Sequence, residues 1–274
     1  MAFITTTLFS QVLNQRMPVD LFVPTDRKEG PLRQPRGVIY FLPGISANEK
    51  DFQQYTAVNR YAMENHMAMV YPTAPYSFYT DMAIGLNYYT YLTEELPKLV
   101  DEVFNLSFKR EKTFVAGLSM GGYGALLLGM SRPDIYGGCA SFSGSCDMGG
   151  MLKFAQTDPA SKKIMAPAFG ESLELEDRYD LFKLATKMSR LPKEEQSRVF
   201  MCCGKQDDKF LIHDQNIGLK TYMETLDLAS YKYMEWDGQH DNSFWDRAML
   251  HGISFFLKNK YDEKKLELWR CEAK

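Results

Sequence analysis

"GLSMGGYGALLLG", Gly117 to Gly129, is the stretch on which the reading of this chain turns. Four glycines fall between Gly117 and Gly124 around a single serine, and the segment then becomes apolar. Glycine loses the most backbone freedom on folding, so a cluster of them marks a sharp turn or a very close backbone approach. Gly117-Leu118-Ser119-Met120-Gly121 is G-x-S-x-G. It follows "KTFVA", which reads as a strand, and opens "GGYGALLLGMSRP", which reads as a helix stopping before Pro133. That context predicts a tight turn lifting Ser119 above a sheet at a helix N-terminus, where backbone N–H groups favour an anion. Gly122 and Gly124 are expected to let the helix lie close against neighbouring strands.

The elements on either side fit one pattern. "FITTTLFS" and "MPVDLFVP" read as an antiparallel hairpin, and "DRKEGPLRQPR" as a charged loop. "GVIYFLPG", "MAMVYP", "GGCASFSG", "SRVFMCCG" and "YKYMEW" are short apolar runs of the kind found in buried strands. Between them lie helical stretches: Asp51 to Asn65, "LNYYTYLTEELPKLVDEVF" with a disturbance at Pro97, "FLIHDQNIGLKTYMETL" and "NSFWDRAMLHGISFFLKN", with a charged tail after the last. Strands alternating with helices predict an α/β fold, a mostly parallel sheet with helices on both faces. From about Gly144 to Leu191 the alternation weakens. That segment reads as short helices forming a small cap-like insertion on a single domain spanning residues 1–274.

Composition narrows the function. The chain has 274 residues, 45% hydrophobic and 24% charged, with a formal net charge of -3. No basic stripe calls for a nucleic-acid partner, and no long apolar run calls for a membrane. The N-terminus does not read as a secretion signal. Five cysteines in no disulfide pattern fit a reducing cytosol. There is no H-E-x-x-H, P-loop, G-x-G-x-x-G or zinc-spaced Cys/His set, so no cofactor and no metal is expected.

A nucleophilic serine needs a base, and the base an orienting acid. In a fold of this kind the chain order is Ser, acid, His. Of four histidines, His66 precedes Ser119, while His213 and His251 fall inside helical stretches. His240, in the loop "EWDGQHDNSFW", stands where the order requires the base. For the acid, Asp207 and Asp208 both follow "SRVFMCCGKQ", and the residues alone do not separate them.

Four motifs in order, "SFYTDM", "GLSMGGYGALLLG", "CGKQD" and "DGQHDNSFWD", resemble the esterase D family of α/β-hydrolases. The chain is most similar to the bacterial tributyrin esterase branch, with feruloyl and acetyl-xylan esterases as relatives. The likeness runs over almost the whole chain. It implies a Ser119–Asp207–His240 triad, because the family's acid stands in a "CG-x-x-D" setting. It also points to "FLPGISANEKDF" as the oxyanion loop. Pro43 has no N–H to give, which leaves the backbone N–H groups of Ile45 and Met120 as the donors. "APYSFYTDM" follows a strand, so Tyr76, Phe78 and Tyr79 are candidates to line the substrate pocket, as are Met148 and Trp245.

The resulting expectation is a serine carboxylesterase working on a small-molecule ester through an acyl-enzyme. A homo-oligomer is compatible with it. Close relatives hydrolyse S-formylglutathione, but the glutathione-active ones often carry His where this chain has Tyr123. A non-catalytic binding module on a hydrolase scaffold is the reading from another class, and the intact Ser/Asp/His set argues against it. With no lipase-type lid evident, the acyl pocket is expected to be confined, favouring acetyl to butyryl esters.

Overall fold

The computed structural model describes residues 1–25 and 34–258. Most of the charged loop read at 26–36, and the tail beyond the last helix, lie outside the described residues. The strands are β1 (Ala2–Ser10), β2 (Gln15–Val23), β3 (Val38–Leu42), β4 (Ala68–Pro72), β5 (Thr113–Leu118), β6 (Gly138–Phe142), β7 (Arg198–Gly204) and β8 (Tyr231–Trp236). They form one eight-stranded sheet in the order β1-β2-β4-β3-β5-β6-β7-β8.

β1 and β2 make the expected hairpin, with Ile4 opposite Leu21. β2 also pairs antiparallel with β4. Every other pairing, from β4 through β3 and β5 to β8, is parallel. The central strands β3 to β6 are buried along their whole length, as parallel strands covered on both faces must be. Successive side chains feed opposite layers. Val38, Tyr40 and Leu42 join one core, while Ile39 and Phe41 join the other, where Phe41 stacks on Phe52 at 4.0 Å.

Two helices depart from the sequence reading. The stretch from Asp51 to Asn65 is two helices, Asp51–Tyr55 and Val58–Asn65. The Thr56 hydroxyl donates back to the Phe52 carbonyl, and the Ala57 N–H is taken by Asp246 Oδ1 at 2.7 Å. The chain thus breaks where the last helix offers a better acceptor than the helix itself. The disturbance at Pro97 is a wide π-type turn over Tyr91–Glu95, just before Leu96–Phe104. A wider turn relieves the clash between the proline ring and the preceding carbonyls.

The C-terminal ends of β3, β5, β6, β7 and β8 share one edge of the sheet. Their loops carry Ile45, Ser119, Ser145, Asp207 and His240 respectively. This is the edge where open α/β sheets bind ligands. Between β6 and β7 the chain forms helices Met148–Ala155, Pro159–Phe169 and Leu181–Ser189. No helix among the described residues is long and apolar enough to cross a membrane.

Candidate active site

Ser119 sits between β5 and the helix Met120–Ser131 at φ 55°, ψ −120°. That region is sparsely populated for a side chain-bearing residue, and it persists only where the surroundings enforce it. Here they do. The Ser119 N–H donates to the Phe142 carbonyl at 3.0 Å, and the Ser145 N–H donates to the Ser119 carbonyl at 3.2 Å. The flanking glycines are needed for space. A Cβ on Gly117 would stand 2.2 Å from the Gly121 carbonyl oxygen, and one on Gly121 would stand 2.0 Å from that of Leu42. Gly122 meets Ser141 and Gly144 beside β6, as expected of a close helix–strand contact. Gly124 does not face a strand: a Cβ there would lie 2.2 Å from the Tyr79 ring.

The structure brings the three sequence-derived residues into one hydrogen-bonded chain. His240 Nε2 lies 3.0 Å from Ser119 Oγ, and His240 Nδ1 lies 2.9 Å and 3.1 Å from the two Asp207 carboxylate oxygens. Asp207 is fully buried. Asp208 is exposed, and its carbonyl accepts the Leu211 N–H. The geometry therefore separates the adjacent acids where the sequence did not. Cys203 Sγ approaches Asp207 Oδ2 at 4.0 Å. Burial first, and then the neighbouring carboxylate, push the Cys203 thiol well above its ordinary range. It stays protonated, as a weak donor beside the acid. The edge of Trp245 meets the His240 ring at a centroid distance of 4.9 Å.

Met120 is the first residue of its helix, so its N–H has no acceptor within that helix. The Ile45 N–H lies on the facing loop after β3. Two groups brace that loop: the Ile45 carbonyl accepts the Tyr76 N–H at 3.0 Å, and the Pro43 carbonyl accepts the Tyr79 hydroxyl at 2.6 Å.

Two lobes of a cleft meet at Ser119 and Ile45. One, of ≈ 400 Å³, is walled mainly by apolar side chains, among them Phe78, Met151, Phe154, Ile164 and Met165. The other, of ≈ 340 Å³, carries Asp51, Lys209, His240, Asn242 and Trp245. Of the expected pocket residues, Phe78 and Trp245 line these lobes. Tyr79 does not: it is fully buried and holds the loop after β3 through its hydroxyl. Tyr76 is half-exposed and braces the same loop through its main chain. Met148, the first residue of the helix Met148–Ala155, is buried in the core, and Met151, one turn on, takes the wall position. The sequence reading missed Met151, Phe154, Ile164 and Met165. Their signal was an apolar face on short helices in a segment where periodicity was weak.

Such a sheet, with a serine lifted at a strand-to-helix turn over an apolar cleft, is the frame of an ester-hydrolysing α/β enzyme. The chain belongs to the Esterase family, whose model matches residues 10–256. It is 27% identical over 271 residues to an acetyl esterase from Caldicellulosiruptor saccharolyticus, a match that covers 94% of this chain and 99% of that protein. Among solved structures it is similar to the fluorophosphonate-binding serine hydrolase FphF of Staphylococcus aureus, with substrate bound. There the TM-score is 0.82 at 25% identity, covering 93% of this chain and 98% of that one. The S-formylglutathione hydrolase FrmB of the same organism matches with a TM-score of 0.78 at 25% identity, over the same shares of the two chains. The protein is a carboxylic ester hydrolase.

Proposed function

We propose that the chain cleaves carboxylic esters through an acyl-enzyme on Ser119. The observation that carries this reading is the Ser119–His240–Asp207 hydrogen-bonded chain at a helix N-terminus. His240 Nε2 takes the Ser119 proton as Oγ attacks the ester carbonyl. Asp207, on Nδ1, fixes the tautomer and stabilises the imidazolium that forms. The N–H groups of Ile45 and Met120 receive the developing oxyanion, each worth about 2.7–4 kcal/mol of barrier in comparable sites. His240 then hands its proton to the leaving oxygen, and water repeats the sequence to release the acid.

The proton's route assigns the lobes. The alcohol must depart on the side of His240, and His240 lines only the polar lobe, with Lys209 and Asp51 near it. The acyl group therefore occupies the apolar lobe. A four-carbon acyl chain fills about 120 Å³ at roughly 30 Å³ per heavy atom, taken as a water's share of liquid volume. The apolar lobe offers ≈ 400 Å³, which supports acyl groups longer than the acetyl-to-butyryl range expected from the sequence.

The esterase D resemblance and four free, buried cysteines among the described residues support a cytoplasmic enzyme of that type. Hydrolysis of S-formylglutathione, the activity named for one relative, is the second reading. Tyr123 bears on it: its side chain is buried, its hydroxyl donating to the Tyr179 carbonyl at 2.7 Å, and so it contacts no substrate. A fluorophosphonate probe with a panel of p-nitrophenyl esters and S-formylglutathione tests the reading. Labelling and turnover should both vanish in Ser119→Ala. A folded Ser119→Ala protein with near-normal activity would remove the serine from the mechanism.

A further inference from the structure

Directly after Asp207 and Asp208 lies a turn that the mechanism does not use. Phe210 stands at φ 52°, ψ 28°, and Leu211 at φ 56°, ψ 34°. Two consecutive left-handed residues, neither a glycine, persist only where neighbouring groups hold them. Three contacts do so. Leu211 N–H donates to the Asp208 carbonyl at 3.1 Å, and His213 N–H donates to the Asp207 carbonyl at 3.0 Å. Gln215 Nε2 donates to the Phe210 carbonyl at 2.8 Å, while Gln215 Oε1 accepts the Asp147 N–H at 3.0 Å. Gln215 thus ties the turn to the start of the insertion helix Met148–Ala155.

What the turn presents is apolar and in water. Phe210 and Leu211 are each 64% exposed, yet both line the apolar lobe. Phe154 and Ile164, from the insertion helices, are 59% and 40% exposed and line the same lobe. Packing within the fold does not account for these four side chains. An apolar chain lying in the lobe would remove them from water together with its own surface.

We propose that the Phe210–Leu211 turn, latched by Gln215, is the outer wall of the acyl lobe, and that it selects linear acyl groups of roughly six to ten carbons, which stay within the about 13 heavy atoms that ≈ 400 Å³ admits at about 30 Å³ each. This rests on the assignment of the apolar lobe to the acyl group. Short acyl groups fill only part of the lobe, whereas longer chains extend toward the wall that Phe210 and Leu211 form. The turn is anchored on the carbonyls of Asp207 and Asp208, so the wall and the catalytic acid share one loop.

The test is kcat/KM for p-nitrophenyl esters from acetyl to dodecanoyl, below their solubility limits. For the wild type it should rise about fourfold per methylene between butyryl and octanoyl. Phe210→Ala and Leu211→Ala should each lower the octanoyl-to-butyryl ratio by roughly tenfold, and Gln215→Ala should lower it by releasing the turn. A ratio unchanged in both alanine variants at the wall overturns the proposal. Turnover of any ester by the wild type tests the underlying activity separately. Titration of Ser119→Ala protein with octanoate and butyrate decides the wall independently of turnover. Tighter binding of octanoate, weakened by adding Phe210→Ala, supports it, and equal affinities overturn it.

Discussion

Gln206 and Gly238 are bonded to each other twice. The main-chain N–H of Gln206 donates to the Gly238 carbonyl at 3.1 Å, and the Gly238 N–H donates to Gln206 Oε1 at 2.7 Å. The loops after β7 and β8 also touch here: a Cβ on Gly204 would stand 2.3 Å from the Gly238 carbonyl oxygen. Asp207 follows Gln206 directly, and His240 comes two residues after Gly238. This pair of hydrogen bonds ties the acid's loop to the base's. Gln206→Ala should lower kcat by about 10- to 100-fold with little change in KM, the scale expected when reacting groups drift by a fraction of an ångström to an ångström. Gln206→Glu keeps an acceptor for the Gly238 N–H and should retain more of the rate. Steady-state kinetics on a soluble acyl ester decides it, and an equal loss in both variants would mean that the pairing does not position the triad.

The two adjacent aspartates offer a sharper contrast. Asp207→Asn should cost on the order of 10⁴ in kcat, because the amide can hold the imidazole in the wrong tautomer and no longer stabilises its charge. Asp208→Asn should leave kcat within a few-fold, since its exposed side chain lies outside the bonded chain. The reverse result would move the acid to Asp208.

How much of this was legible in advance depended on how local each constraint is. The elbow is written in adjacent residues: Gly117 is forced by a backbone contact within the turn, and Gly121, four residues on, by the carbonyl of Leu42 on the neighbouring strand. The central strands are legible because burial on both faces demands unbroken apolar runs. His240 followed from chain order. The pocket did not, because its walls come from distant segments with ordinary helical composition. Met148 and Met151 are one turn apart, and nothing in a single sequence says which faces the cleft. Tyr79 looked like a pocket aromatic because it follows a strand at the ligand edge. Its role depends on Pro43 and Gly124, which are remote in sequence. The break at Thr56–Ala57 depends likewise on Asp246.

Tyr79 gives the third prediction. Its hydroxyl is the donor to the Pro43 carbonyl, on the loop that offers the Ile45 N–H. Tyr79→Phe leaves that buried carbonyl without its donor, which costs about 1–3 kcal/mol. The melting temperature should fall. Because the loop is loosened rather than deprived of its N–H, kcat should drop by about tenfold, less than the loss of a whole oxyanion donor. Gly124→Ala should displace the Tyr79 ring and produce the same kinetic signature. Unchanged kcat in a destabilised Tyr79→Phe protein would confine the tyrosine to a packing role.

Asp20 predicts a pH dependence of stability away from the active site. It lies on β2 opposite Thr5 of β1 and is buried, with Gln53 Nε2 at 3.2 Å from Oδ2 and no hydrogen-bond partner for Oδ1. Burial raises its pKa above the ordinary 3.8. Glu49 adds to the rise, while hydrogen bonds from Thr5 and Gln53 and the charge of Lys50 oppose it. A carboxyl whose pKa is higher in the folded chain binds its proton more tightly there than when unfolded. Its contribution is therefore most favourable at low pH and becomes a cost as pH rises through the folded value. At pH 7 the ionised group is held in a site that prefers the neutral form. Asp20→Asn removes the charge and keeps an acceptor for Gln53. It should raise the melting temperature at pH 7 to 8, and the gain should shrink toward pH 4 as the native carboxyl takes up its proton. Thermal unfolding of both proteins across pH 4 to 8 measures it. A loss of stability in the variant at pH 7, or a difference that does not change with pH, would mean that the fold stabilises the carboxylate rather than the acid.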